Sequence, residues 1–150
     1  MLQTLRRFHR DRRADVWAFL AVTLLFVALP LASLTVDVVR GLFVRTHLQV
    51  AADAACQAAA NTLDAAVFQN TGVQQIDPGL ARVHAASVFY GTLADASVVG
   101  FTPSLAIGFP GATRAVCQAT ASIAHILPLT PPMTAVVETT SQMRVVTGNP

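Results

Sequence analysis

Residues 16–36 read VWAFLAVTLLFVALPLASLTV and contain no charged side chain. A helix rises about 1.5 Å per residue, so a helix of this length spans roughly 30 Å, the thickness of the hydrocarbon core of a bilayer. A core helix of a soluble domain rarely runs this far without one polar face. The stretch therefore predicts a transmembrane helix, which we place at residues 14–36.

Charged residues are few, and the basic ones crowd the start of the chain. They make up 12% of the 150 residues, against roughly a quarter in an ordinary soluble domain. A terminal basic cluster is typical of nucleic-acid or membrane contact, and the adjoining apolar run favours the membrane. We therefore expect membrane lipid as a partner and no nucleic acid. The cluster comprises Arg6, Arg7, Arg10, Arg12 and Arg13.

The arginines also predict the orientation of the span, because positive charge beside a span favours the cytoplasmic side. Residues 1–13 are thus predicted to be a cytoplasmic tail, and the chain after Asp37 is predicted to be extracytoplasmic. Trp17 falls at the inner interface, where an amphipathic ring is favoured. Pro30 lies inside the span, where it either simply kinks the helix or bends it to fit a packed assembly.

A cleaved secretory signal is the competing interpretation of the same segment. Arg12-Arg13 is similar to the pair in twin-arginine export signals. The apolar run is longer than the roughly 7–15 residues of a signal core, however, and no clear small-residue cleavage site ends it. We therefore expect the segment to be retained as an anchor.

The helix is predicted to continue outside the membrane through residues 37–70, which contain no proline and many alanines. One face is polar, and the opposite face is small and apolar, so that a partner backbone can approach closely. That partner is either the protein's own domain or the helix of a neighbouring subunit. The polar stripe comprises Thr46, Gln49, Asp53, Gln57, Asn61 and Asp64, and the packing face comprises Val44, Leu48, Ala51, Ala55 and Ala59.

Residues 71–150 are predicted to form a small α+β domain. Thr71 and Gly72 end the long helix, and Asp77-Pro78 starts a short amphipathic one that runs to Leu93, with Asp as the N-cap and Pro at the first helical position. The apolar positions of this short helix that recur at helical spacing are Leu80, Val83, Ala86 and Tyr90.

Beyond this helix the sequence alternates with a period of two, which indicates half-buried antiparallel strands. Strands are predicted at residues 115–123 and 135–146, with the proline-rich link of residues 127–132 between them. The stretch SVVGFTPSLAIGF supplies one or two more strands, broken by Pro103 and Gly108. The predicted fold class is α+β: a long N-terminal helix packed on a small sheet of three or four antiparallel strands.

Few residues are candidates for chemistry. Cys56 and Cys117 are the only cysteines, and a disulfide between them would join the helix to the sheet; two buried thiols are the alternative. The four histidines show no metal-ligand spacing, and no catalytic motif occurs, so we expect no enzyme activity, metal or cofactor. Asp37 and Arg40 either form a local ion pair or set the depth of the helix in an assembly.

Residues 48–55 read LQVAADAA and follow an Asp-Val-x-Arg element at residues 37–40. With the apolar run before them, these motifs make residues 12–60 resemble the N-terminal module of the tight adherence (Tad) pilus-assembly proteins, the TadE/TadG-like pilin group. LQVAADAA is the most specific part of the resemblance. The resemblance implies a pilin-like fold, a bacterial plasma-membrane location and pilin-like partners. It rests on Arg12-Arg13-Ala14, the apolar run with Pro30, Asp37-Val38-Val39-Arg40, Val44-Arg45, Leu48-Gln49 and Ala51-Ala52-Asp53-Ala54-Ala55.

The resemblance also implies a candidate processing site between Ala14 and Asp15. The chain departs from the family there, because Ala14 replaces the usual glycine and Phe19 stands where pilins carry a glutamate. We therefore expect the chain to remain uncleaved.

Three functions fit these observations. The first is a structural, pilin-like subunit or minor component of a Tad/Flp-type surface pilus, membrane-anchored and part of an oligomeric assembly. The second is a single-span accessory subunit of a larger membrane complex. The third is an exported soluble binding domain with a cleaved signal.

Overall fold

A computed structural model describes residues 12–95, 100–125 and 132–144, without the side chains of residues 12–14 and 95. The predicted tail up to residue 11 and most of the proline-rich link, residues 127–131, lie outside the described residues. The chain divides into two compact units between Val39 and Arg40. We describe each unit by itself.

The first unit is helical throughout its described part. Helix α1 spans Arg12–Thr23, a π-helical segment follows at Leu24–Ala28, and helix α2 begins at Leu29. The wider turn comes directly before Pro30, which has no N–H to donate to the carbonyl of Phe26 and whose ring would collide with that carbonyl in a regular α-helix. A π-helical turn changes the hydrogen-bond register there. The proline therefore accounts for the irregularity without ending the helix.

Helix α2 spans Leu29–Ala60, so the prediction of a continuous helix to residue 70 is wrong at its C-terminal end. Asp64 is the N-cap of a separate helix, α3, at Ala65–Thr71. Its side chain accepts a hydrogen bond from the backbone N–H of Val67 at 3.0 Å. Leu63 forms a β-bridge with Ile76, which is buried. The N-cap at Asp64 and the Leu63–Ile76 bridge thus outweigh the helix propensity of the alanines, and α2 does not continue to residue 70.

Two further helix boundaries match the predictions. Gly72 ends α3 with a φ of 70°, in the left-handed region that favours glycine. Helix α4 spans Pro78–Asp95, and the Asp77 carboxylate accepts from the backbone N–H groups of Gly79 at 2.8 Å and Leu80 at 3.1 Å. Asp77 is therefore the N-cap that the sequence indicates.

The predicted apolar face of α4 is wrong. Leu80, Val83 and Tyr90 are about half exposed or more, at 46%, 65% and 50%. The buried stripe instead recurs every four residues and combines two alanines with a phenylalanine and a leucine. It comprises Ala81, Ala85, Phe89 and Leu93.

The sheet has three antiparallel strands in the order β1-β2-β3: Phe101–Gly111, Arg114–Ile123 and Met133–Gln142. Strand β1 is continuous through Pro103 and Gly108, where breaks were predicted. It is an edge strand of this sheet, where a residue without an N–H is tolerated. An irregularity in the β1–β2 pairing occurs only between Gly108 and Gly111.

One face of the sheet forms the core of the second unit with the later part of α2 and with α4. The buried positions of β2 alternate as predicted, and they are mostly alanine: Ala115, Cys117, Ala119, Ala121 and Ile123. The opposite face is polar; Gln118 and Glu138 lie on it, and the hydroxyls of Ser104 and Thr120 are hydrogen-bonded to each other. The α+β layout, with a long apolar helix and a small antiparallel sheet, is confirmed.

Replacing Asp77 by alanine should lower the free energy of unfolding by about 1 kcal/mol, because two N–H groups at the start of α4 lose their acceptor. Urea unfolding of the full chain in detergent measures this. Asp53→Ala is the matched control, since the Asp53 carboxylate is exposed and accepts from the Gln49 side chain. Equal losses for the two variants would contradict the assignment of Asp77 as the cap.

Candidate membrane and assembly surface

The first unit presents an apolar helical surface that the described chain leaves uncovered. The helical run Asp15–Ala60 is long and apolar enough to cross a membrane, and none of its most apolar 18-residue window is buried. Trp17 and Phe19 are 72% and 74% exposed. Burial of such a surface in lipid or against other helices would remove a large apolar area from water. The surface is therefore the main candidate for a functional contact.

Two hydroxyl groups within this surface form hydrogen bonds within the helix. Ser33 Oγ donates to the carbonyl oxygen of Pro30 at 3.2 Å, and Thr35 Oγ1 donates to that of Leu31 at 2.9 Å. In hydrocarbon an unpaired donor is costly, so these bonds make the two residues compatible with a span. The bond from Ser33 also supplies a donor to the carbonyl of Pro30, close to the irregular turn.

A shallow apolar groove follows one side of this helix. It passes along the π-helical segment. No polar surface lines it, so it is suited to an acyl chain or to an apolar helix. Its lining comprises Val16, Phe19, Leu20, Thr23, Leu24, Val27, Ala28 and Leu31.

The other residues that the sequence singled out in the membrane helix differ in position and exposure. Pro30 lies in the first turn of α2, and Asp15 is exposed on α1. Asp37, although charged, is only 8% exposed. The backbone of Ala14 and Asp15 is helical, so the candidate processing site falls within α1. Cleavage there and the roles of Asp37 in depth or pairing stay predictions.

Arg40 connects the beginning of the second unit to one end of the β1–β2 strand pair. Its Nη2 donates to the carbonyl oxygen of Gly100 at 3.0 Å, just before β1, and its Nη1 donates to that of Ala124 at 3.2 Å, just after β2. Gly100 has a φ of 83°, and a Cβ at this position would collide with Arg40 Nη2. Gly100 therefore serves both the turn and the close approach of the guanidinium.

Sequence reasoning missed the role of Gly100 and the long-range contacts of Arg40. The available signal was a glycine directly before an alternating strand, which often marks a special backbone conformation. The carbonyl partners of Arg40 lie 60 and 84 positions away along the chain, so spacing on the helix pointed only to Asp37.

The predicted packing face of α2 packs against the sheet of the same chain. All of its members are at most 1% exposed, and they belong to the one buried core of the second unit. The predicted polar stripe is exposed at Thr46, Gln49, Asp53 and Gln57. Of the two partners left open by the sequence, the protein's own domain thus occupies this face. The buried members are Val44, Leu48, Ala51, Ala55 and Ala59.

Both cysteines are buried in this core. Cys56 and Cys117 are 0% exposed, and both are free thiols in this structure. Burial, and then the neighbouring Cys56, raises the pKa of the Cys117 thiol well above its ordinary value. A thiol of this kind is a poor nucleophile while the domain is folded. The arrangement offers no reactive cysteine at the surface.

No protein-family model, curated protein or solved structure matches the chain. Within residues 12–95, 100–125 and 132–144, no three His, Cys, Asp or Glu side chains are grouped so that they could hold a metal ion. The uncovered apolar helix remains the feature with the clearest functional consequence.

Substituting Gly100 by alanine should destabilise the second unit by about 1–3 kcal/mol, because the new Cβ meets Arg40 and the positive φ becomes strained. Gly91→Ala is the control: Gly91 lies in α4 with open space around it, and alanine there should stabilise the helix by about 0.5–1 kcal/mol. Urea unfolding compares the two. A neutral Gly100→Ala variant would contradict the structural role of the contact with Arg40.

Proposed function

We propose that this protein is a membrane-anchored, pilin-like structural subunit of a Tad-type surface filament. The observation that carries the proposal is the apolar helical surface, uncovered by the described chain, next to a second unit that has its own core. A helix of this kind can rest in lipid before assembly and pack against other helices after it. The resemblance of residues 12–60 to TadE/TadG-like proteins supports the filament over other assemblies.

Retention of the anchor is supported by the course of α2. The helix runs without a break from Leu29 to Ala60, and its later residues are part of the core of the second unit. Signal cleavage after the apolar run would have to cut within this continuous helix. A retained anchor leaves α2 whole.

An accessory subunit of a larger membrane complex is the second candidate function. The observation in its favour is the wholly apolar groove beside the π-helical segment, which fits an apolar helix that stays in the bilayer. In that case the protein would never enter a filament. Both functions require the membrane anchor. They differ in the final location of the protein, which is a surface filament in the first case and the membrane complex in the second.

The membrane role is tested by placing two charges in the span. Leu20→Arg/Phe26→Arg should abolish retention in alkali-washed membranes, since each arginine near the centre of a span adds roughly 2.5–3.5 kcal/mol to the cost of insertion. The control is Thr46→Arg/Gln49→Arg, on the exposed face of α2, which should stay in the membrane like the wild type. Full retention of the Leu20→Arg/Phe26→Arg variant would contradict the proposed anchor.

The filament role is tested by shearing intact cells and collecting the released filaments. We expect the protein in the sheared fraction, and mass spectrometry should find a chain that begins at Met1. A start at Asp15 would indicate pilin-type processing, and a start after residue 36 would indicate a cleaved signal. Protein found only in washed membranes, in cells that do release filaments, would favour the accessory subunit instead.

A further inference from the structure

The only two cysteines of the chain meet in the core of the second unit. Cys56 lies on α2 and Cys117 lies on β2, and the two side chains are neighbours in the buried core. Both are fully buried, at 0% exposure. Most of the surrounding helix and strand positions are alanine, so a cysteine on one element would ordinarily face an alanine on the other. The pairing of the two is a specific feature of this core.

The backbone contacts of Cys56 fix its place above the sheet. Its Sγ donates towards the carbonyl oxygens of Ala115 at 3.5 Å and Thr139 at 3.6 Å. Ala115 precedes Cys117 by two positions on the same buried face, and Thr139 is the partner of Cys117 in the β2–β3 pairing. The Cys56 sulfur therefore lies over the part of the sheet that carries Cys117.

Small neighbours make this approach possible. Helix positions around Cys56 and strand positions around Cys117 carry side chains with a single carbon, so the helix can approach the strand closely. A disulfide needs its two Cα atoms within about 7 Å of each other and side chains that point together. Large residues at these positions would hold the two backbones too far apart. The neighbours are Ala52, Ala55, Ala59, Ala115 and Ala119.

We propose that Cys56 and Cys117 form an intramolecular disulfide that joins α2 to β2 once the domain has crossed the membrane. The inference rests on the proposed function in one respect, which is that the second unit is extracytoplasmic. Disulfides form and persist in that oxidising compartment and are rare in the cytosol. The bond encloses α3, α4 and β1 in one covalent loop.

The chemistry is thiol–disulfide exchange with a protein disulfide of the cell envelope as the oxidant. One cysteine thiolate attacks the oxidant's disulfide, forms a mixed disulfide and displaces the oxidant's first thiolate. The second cysteine then attacks the mixed disulfide, which forms the Cys56–Cys117 bond and releases the oxidant as a dithiol. Two electrons pass to the oxidant, and its two sulfurs take up the two protons that the cysteines lose.

Burial of the two cysteines determines when during folding the disulfide can form. Neither sulfur can be reached by a protein oxidant in the folded core, and the raised pKa of Cys117 makes its thiolate scarce there. The exchange therefore takes place during folding, before α2 closes over the sheet. Once formed, the bond is shielded from reduction by the same packing.

The thiol state of the full chain in cells tests the inference. Cells are quenched in acid, the protein is denatured, and free thiols are counted by the gel shift of a polyethylene-glycol maleimide. We expect no adduct before reduction and two adducts after it. The single variants Cys56→Ala and Cys117→Ala should each give one adduct without reductant, because the partner is lost. Two adducts on the unreduced wild type would overturn the disulfide.

A protease added to spheroplasts separates this failure from failure of the proposed function. Digestion of the second unit reports an extracytoplasmic domain. Free thiols in a digestible domain would overturn the disulfide alone and leave the anchored subunit in place. Free thiols in a protected domain would overturn both, because the orientation itself would be wrong.

Thermal unfolding gives a second readout on the purified full chain in detergent. Wild type that has been unfolded, reduced and refolded in reductant should have an unfolding midpoint about 10 °C or more below that of the untreated protein, because the unfolded chain regains the freedom of an open loop. The Cys56→Ala/Cys117→Ala double variant fits the alanine core and should unfold at one midpoint with or without this treatment. A wild-type midpoint that does not respond to this treatment would contradict the bond.

Discussion

The contact between the alanine-rich face of α2 and the alanine-rich face of β2 is the constraint on which the second unit depends. Small side chains on both elements let the helix backbone come close to the sheet, and little apolar area is contributed by any one of them. Large buried groups are few; Phe89, Leu48 and Val44 are the largest of the fully buried side chains. Such a core is stabilised by close packing of small side chains rather than by large buried ones. Its elements therefore need additional contacts at their ends.

Polar side-chain contacts with backbone groups provide these attachments. Arg40 binds two backbone carbonyls at the ends of β1 and β2, Asp77 caps α4, and Asp64 caps α3. Each satisfies backbone groups that would otherwise lack a partner where an element begins or ends. Together they define where the helices and strands stop, which a core of alanines cannot do. The proposed disulfide would act at the centre of the same interface.

The sequence allowed the layout to be predicted more fully than the details. The uncharged run of residues 16–36, the alternation in β2 and the Asp77-Pro78 start of α4 all depend on local patterns. The run is helical, and the strand and the helix start match the structure. The helix end at Ala60 and the buried face of α4 were missed, because a long-range pairing of Leu63 with Ile76 and the choice of alanines over Leu80 and Val83 depend on tertiary packing. The contacts of Arg40 were missed for the same reason.

The two edges of the sheet are chemically unequal, which bears on how copies of the chain could grow into a polymer. Strand β1 carries Pro103 and Pro110, which have no N–H to offer, whereas β3 contains no proline between Met133 and Gln142. Pairing of β3 with β3 of a second copy would be symmetric and would close after two chains. Continuous growth through the sheets would need β3 to pair with β1, the strand that contains the two prolines. A filament of the proposed kind would therefore depend on contacts between helices rather than on pairing between sheets.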